Sequence, residues 1–322
     1  MTAGARASEP QRWRMPVETG VAIVLAAVMV YFSVKLPDFR SEPNVRLIVK
    51  QVAELAVISA GMTLVIATGG IDISVGSVMA LCAMVLGWLC VNAHAPIGLA
   101  CLGAVAVGAL CGTVNGVLIA RVRLPSIIVT LAMFAAASAA ATMFNGGNSI
   151  SGLPESFTDL LDRRDILHLP VLLWLGLASL VAGAVALKFT TFGRELLALG
   201  GNRTATFLSG RPTVRTEALV YVLSGAAAGL AAVINVAKQA TAAQGTGQFM
   251  ELTAITAVVL GGTIITGGRA TLLGTALGVL TIGALQSGVR LLGQEDQLAW
   301  FLIGAALLLA VEAQKWRGRT GA

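Results

Sequence analysis

The chain alternates long apolar blocks with short polar links. Blocks of 16 to 24 residues predict membrane-spanning helices near 17–34, 47–68, 77–92, 97–120, 125–144, 170–187, 217–237, 252–267, 271–290 and 297–313. About 20 apolar residues carry a helix across ~30 Å of hydrocarbon. The eighth block is short enough to be re-entrant. A β-barrel would instead show ~10-residue segments of alternating polarity, and no such alternation occurs. The first block follows Arg12 and Arg14 as the core of a signal peptide would. It runs longer than the usual apolar region and lacks an obvious small-residue cleavage site, so it is read as retained. The expected fold is an all-α polytopic membrane protein of about ten transmembrane helices with broken or re-entrant segments, in a single transmembrane domain over 1–322.

Composition sharpens this reading. Apolar residues make up 56% of the 322 and charged residues 12%, with a mean hydropathy of +0.84. Soluble domains carry about 25% charged residues, so half that fraction cannot coat a globule of this size. With ten spans both termini share one side of the bilayer. Arg6, Arg12, Arg14, Arg121, Arg123, Lys188, Arg194, Arg203, Arg211, Arg215, Arg269, Lys315, Arg317 and Arg319 fall on that side, fourteen of twenty-two basic residues. The positive side stays in the cytoplasm, so tails 1–16 and 314–322 and the long link 188–216 are expected there. Link 145–169 is the longest on the opposite side. The formal charge of +6 therefore reports orientation rather than nucleic-acid binding.

Four cysteines, Cys82, Cys90, Cys101 and Cys111, sit inside apolar blocks without CxxC spacing and read as packing residues. His94 and His168 lie in short links with no cysteine or carboxylate at metal-ligand spacing. No metal or cofactor is expected. Gly108, Gly112 and Gly116 stripe one helix face at a spacing of four, and Gly274 and Gly278 repeat the arrangement. Small stripes of this kind let helices approach closely, and the run AMFAAASAAATMF at 132–144 is assigned to close packing too.

The chemistry concentrates in VIATGGIDISVGSVMA, residues 65–80. Gly69, Gly70, Ser74 and Gly76 loosen the helix there, since glycine costs about 1 kcal/mol against alanine in a helix. Asp72 lies among them at membrane depth. Free backbone groups at that depth must be buried in protein or line a wet cavity, and transporters use such breaks to aim helix ends at a central pathway. Three roles stand open for Asp72: a structural cap or ion-pair member, a polar group on a solute route, or a proton-coupling acid. Displaced by 192 residues, Gly69, Gly70, Ile73 and Gly76 fall on Gly261, Gly262, Ile265 and Gly268, with Thr266 at Ser74 and Ile264 at Asp72. The match reads as a trace of two related halves, each with a broken helix.

AGMTLVIATGGIDISVGSVMAL (60–81) closely resembles the signature of the ribose-type branch of bacterial ABC importer permeases, the membrane subunits for monosaccharides. GRELLALGGNRTATFLSG (193–210) is similar to the segment by which such permeases dock on their ATPase, and 251–293 looks like a third family block. Three ordered blocks make the resemblance specific, and it covers most of the chain. It implies two ATPase subunits, a periplasmic sugar-binding protein and a second permease, identical or related, around one pathway in the lipid of the bacterial inner membrane. ATP hydrolysis belongs to the partner, and no P-loop, GxxxxGK[ST], occurs in this chain. Gly200, Gly201 and Asn202 would end one helix. Arg203 to Ser209, closed by Gly210, would form a short helix presenting Phe207 and Leu208 to the ATPase. Phe207 and Arg211, Gln286-Ser287 and Ala270-Thr271 depart from the family's usual residues, which leaves the sugar open. The related permeases for the furanoid signal autoinducer-2 share GGIDIS.

Asp72, Asn115 and Gln286 are the polar side chains proposed for the pathway. For Asn115 and Gln286 an interhelical hydrogen bond is the plainer role, worth on average about 0.6 kcal/mol in measured bundles. Two rival classes remain. An ion-coupled secondary transporter would use Asp72 for coupling and need no partner. A membrane enzyme would need a motif such as HExxH or GxSxG, and none is present.

Overall fold

The structure, a computed structural model, describes residues 17–319; the N-terminal tail 1–16 and residues 320–322 lie outside it. Among the described residues there are thirteen α-helices: α1 (Val17–Lys35), α2 (Glu42–Ala67), α3 (Val75–Val91), α4 (Ile97–Ala120), α5 (Ser126–Met143), α6 (Glu155–Thr158), α7 (Val171–Phe189), α8 (Thr191–Gly201), α9 (Arg203–Leu208), α10 (Thr213–Gln239), α11 (Met250–Leu260), α12 (Leu272–Leu291) and α13 (Asp296–Arg319), beside a short 3-10 helix and a short π-helix. Seven are long and apolar enough to cross a membrane, namely α1, α2, α4, α5, α7, α10 and α12. α3, α11 and the apolar stretch of α13 are shorter.

Proline sets many of the boundaries. Pro96, Pro125, Pro170 and Pro212 each stand immediately before a helix, where the missing N–H has no intrahelical partner to lose. α2, α10 and α12 are mostly buried, whereas α1, α4, α5 and α7 carry much of the outer surface. The glycine stripe of α4 packs as its spacing predicts. A Cβ on Gly108, Gly112 or Gly116 would overlap the carbonyl of Gly225, Tyr221 or Ala218 on α10. Gly274 and Gly278 likewise lie on the backbone of Gly261 and Ala257.

Several expectations shift. The eighth block ends as a helix at Leu260, because Gly261 and Gly262 turn the chain. α13 runs on past residue 313, and the Gln314 side chain donates to the carbonyls of Val259 (3.1 Å) and Thr263 (3.0 Å) at the end of α11. The small-residue run of α5 is mostly exposed, with only Ala137 and Ala141 buried from its alanine stretch. Within one chain α5 packs chiefly on α3 and α4. Link 145–169 folds into α6 and a hairpin pairing β1 (Asp165–Ile166) with β2 (Leu169–Pro170), pinned by an Arg46–Asp165 ion pair of 2.8 Å.

Candidate functional site

Two turns interrupt the core. After α2, the Gly69 N–H donates to Ile66 (2.9 Å) and the Gly70 N–H to Val65 (3.3 Å). After α11, the Gly262 N–H donates to Val259 (2.9 Å) and the Thr263 N–H to Val258 (3.2 Å). This is the Schellman closure in both places, and its pivot needs a left-handed residue. Gly69 and Gly262 supply it at φ +82° and +93°, which glycine adopts without steric cost. The internal echo is therefore structural, but Gly69 corresponds to Gly262 rather than Gly261. The later segment also takes longer to regain helix, resuming at Leu272, whereas the earlier one resumes at Val75.

Between the first turn and α3 lies Asp72, almost completely buried. One carboxylate oxygen accepts the Ser74 backbone N–H (3.0 Å) and hydroxyl (2.6 Å), and the other accepts the Ser224 hydroxyl (2.8 Å). Asn115 on α4 donates its amide to the Ser74 hydroxyl at 3.0 Å. An aspartate accepting from the backbone two residues on forms an Asx turn, so Asp72 fixes the residue from which α3 starts. Ser224 sits near the middle of α10, so the break lies well inside the bundle. The Gly70 position abuts the Tyr221 hydroxyl, and Ile71 bonds to Ser126 and Thr130 of α5. Gly76 is hemmed in by Glu251 and the Gly247 carbonyl.

The link 188–216 forms α8 and α9, each capped by a side chain. Thr190 accepts from the Gly193 N–H (3.1 Å), and Asn202 from the Ala205 N–H (2.9 Å). α8 buries Leu196 and Leu199. Arg203 ties α9 to α10 through Glu217 at 2.7 Å, and Glu195 accepts the Thr216 hydroxyl at 3.1 Å. Held in this way, α9 leaves Phe207 and Leu208 60% and 78% exposed. Gly210 closes it at φ +76°, while Gly201 has open space beside it.

These parts meet at backbone. The Gly268 N–H donates to the Ala67 carbonyl, the end of α2, at 3.0 Å. Gly267 lies against the Gly69 amide, and Gly200 at the end of α8 is wedged between the Ala67 carbonyl and the Gly268 amide. No side chain on these three glycines separates the α8–α9 unit from the two broken segments. Gly267 was not among the residues singled out from the sequence, and its doublet with Gly268 was the available signal.

The chain matches, over residues 45–311, the family model described as the permease component of branched-chain amino acid transport systems. It belongs to this permease family. The L-arabinose ABC transporter permease protein AraH of Azospirillum brasilense is 33% identical over 95% of this chain and 89% of its own length. The ribose import permease protein RbsC of Escherichia coli is 35% identical over 96% of this chain and 97% of its own. The autoinducer 2 import system permease protein LsrD of Yersinia enterocolitica is 35% identical over 80% of this chain and 79% of its own. No solved structure matches. The resemblance read from the three sequence blocks is borne out, and the permease is a multi-pass protein of the inner membrane.

The three proposed pathway side chains do not form one cluster in this permease. Asp72 and Asn115 share a buried network with Ser74 and Ser224. Gln286 lines a separate cavity with Gln51, Glu54, Lys238, Arg290 and Trp300. Its neighbour Ser287 donates to Asn44 at 2.7 Å. Thr271, one of the departures from the family's usual residues, caps α12 by accepting the Gly274 N–H at 3.2 Å. Sequence reasoning missed Ser224, Tyr221, Glu217 and Glu54, which stand in apolar or mixed stretches without a motif.

Proposed function

We propose that this permease is the membrane-spanning subunit of an ATP-binding-cassette importer for a monosaccharide, with hydrolysis performed by a separate ATPase docked on α9. A second permease, the same or a close relative, completes the pathway, and a periplasmic binding protein delivers the solute. The carrying observation is the backbone joint at Gly200. The α8–α9 unit, whose apolar tip is exposed on α9, meets both broken segments backbone to backbone at Gly200. ATP-driven closure of the ATPases pulls α9, α8 moves with it, and the turns at 69–74 and 261–271 rearrange around a solute route. In this reading Asp72 is an anchor for α3. The relatives named for L-arabinose, ribose and autoinducer-2 support a small, neutral, hydroxyl-rich cargo.

The test reconstitutes the permease with its ATPase and binding protein and follows uptake of labelled pentoses, hexoses and the furanoid signal. ATP-dependent uptake of one of them is expected. Replacing Phe207 and Leu208 together by serine should leave the permease folded, abolish ATPase co-purification and stop uptake. Uptake by the lone chain under an ion gradient would instead establish a secondary transporter.

A further inference from the structure

The cavity that Gln286 lines shares no residue with the Gly200 joint. It measures about 160 Å³ and lies toward the end of α10 that carries Lys238, away from the α9 end. Three features separate it from an ordinary packing defect. Glu54 is 3% exposed, with one oxygen accepting Asn235 at 3.0 Å and the other facing Lys238. The Gln51 carbonyl oxygen is buried without a hydrogen-bond partner. Trp300, at the cavity wall, is held against Phe249 with ring centroids 4.7 Å apart.

A buried acceptor left unsatisfied is costly, and a buried ion pair is seldom the stablest filling for a core. Both are accounted for if the space receives a polar guest. The walls specify that guest. Amides of Gln51 and Gln286 both donate and accept, Glu54 accepts, and Lys238 donates, which suits hydroxyls that do both. Glu54 and Lys238 offset one another, and Arg290 adds a further donor at the wall. A held indole offers a flat apolar face to ring C–H groups. A cavity of about 150 Å³ admits a single six-membered ring such as benzene, and a disaccharide is too large.

We infer that this cavity is a transit site for one neutral polyhydroxylated ring, formed inside a single permease chain. The inference rests on the proposed sugar cargo for the guest's identity and adds where the cargo pauses. Direct hydroxyl contacts would replace waters that bridge the same groups, so affinity is low, as passage requires.

The test uses the full chain in lipid nanodiscs with neither ATPase nor binding protein. Ribose, arabinose and fructose are each titrated by saturation-transfer NMR and tryptophan fluorescence, with sucrose as the oversized probe. Saturable binding of at least one monosaccharide in the millimolar range is expected, with none for sucrose. Gln286→Leu and Trp300→Leu should each weaken binding ~10-fold, about 1.4 kcal/mol, with the melting temperature unchanged in Gln286→Leu. Failure of all three monosaccharides to saturate, or binding intact in both variants, overturns the inference. Uptake by the complete assembly is a separate readout. Uptake without binding by the lone chain defeats the transit site only, whereas binding without ATP-driven uptake defeats the importer reading.

Discussion

At Asp72 the number of donors decides what substitution does. Three hydrogen bonds, two from Ser74 and one from Ser224, converge on its two oxygens. Asp72→Ala strands these donors in the core, and a buried donor without its partner costs about 1–3 kcal/mol. Asp72→Asn keeps an acceptor for Ser74 and can donate its amide to a rotated Ser224 hydroxyl. The alanine variant should therefore melt well below wild type in a thermal-shift assay, with the asparagine variant between them. The asparagine variant should also retain uptake. Uptake lost in Asp72→Asn despite a preserved melting temperature would mean that the charge itself is needed, and the proton-coupling reading would return. The motif and its depth were legible in the sequence; the partner was not. Ser224 is 152 residues away, in a helix whose apolar pattern marks it only as a span.

Whole elements were read well where hydropathy dominates and poorly where backbone geometry does. Apolar runs located every long helix, but α2 begins five residues before and α13 ends six residues after its apolar run, where polar residues extend the helix. The Gly-Gly-Asn break divides α8 from α9 as expected. The end of α11 was misplaced by seven residues, because Ile264 and Ile265 prolong the apolar signal after the Gly262 turn has ended the helix. Convergence of the doublets at 69–70, 200–201 and 267–268 could not be read at all, since each looks locally like a simple helix break. It has a sharp consequence. A methyl group on Gly200 would overlap the Ala67 carbonyl and crowd the Gly268 amide, neither of which is the end of a flexible side chain. In Gly200→Ala the α8–α9 unit must lift from the broken segments. Because Phe207 and Leu208 remain exposed, the ATPase should still co-purify, yet ATP-driven uptake should fall at least ~10-fold, a loss of about 1.4 kcal/mol in coupling. Gly98→Ala, with no atom near the added methyl, is the comparison. Full uptake in Gly200→Ala would show that force travels by another route.

At the scale of the whole molecule, charge bias sets which end of the bundle should face the ATPase. In the ten-span reading α9 and the link carrying α6 fall on opposite sides of the bilayer, with α7 between them. Fourteen of the twenty-two basic residues lie on the α9 side in the ten-span reading, and positive loops stay in the cytoplasm. In the proposed importer the same orientation would put the cavity with Gln286 toward the periplasmic end and the Gly200 joint toward the ATPase. One labelling experiment tests charge bias and functional layout together. The four native cysteines are replaced first, since Cys101 and Cys111 are only half-buried. Leu208→Cys and Ser151→Cys, both at exposed positions, are then treated with a membrane-impermeant maleimide. Leu208→Cys should label only in inside-out vesicles and Ser151→Cys only in right-side-out ones. The reverse pattern would place the apolar tip of α9 in the periplasm, where no nucleotide-driven partner could grip it, and the coupling scheme would fail even though the fold stood unchanged.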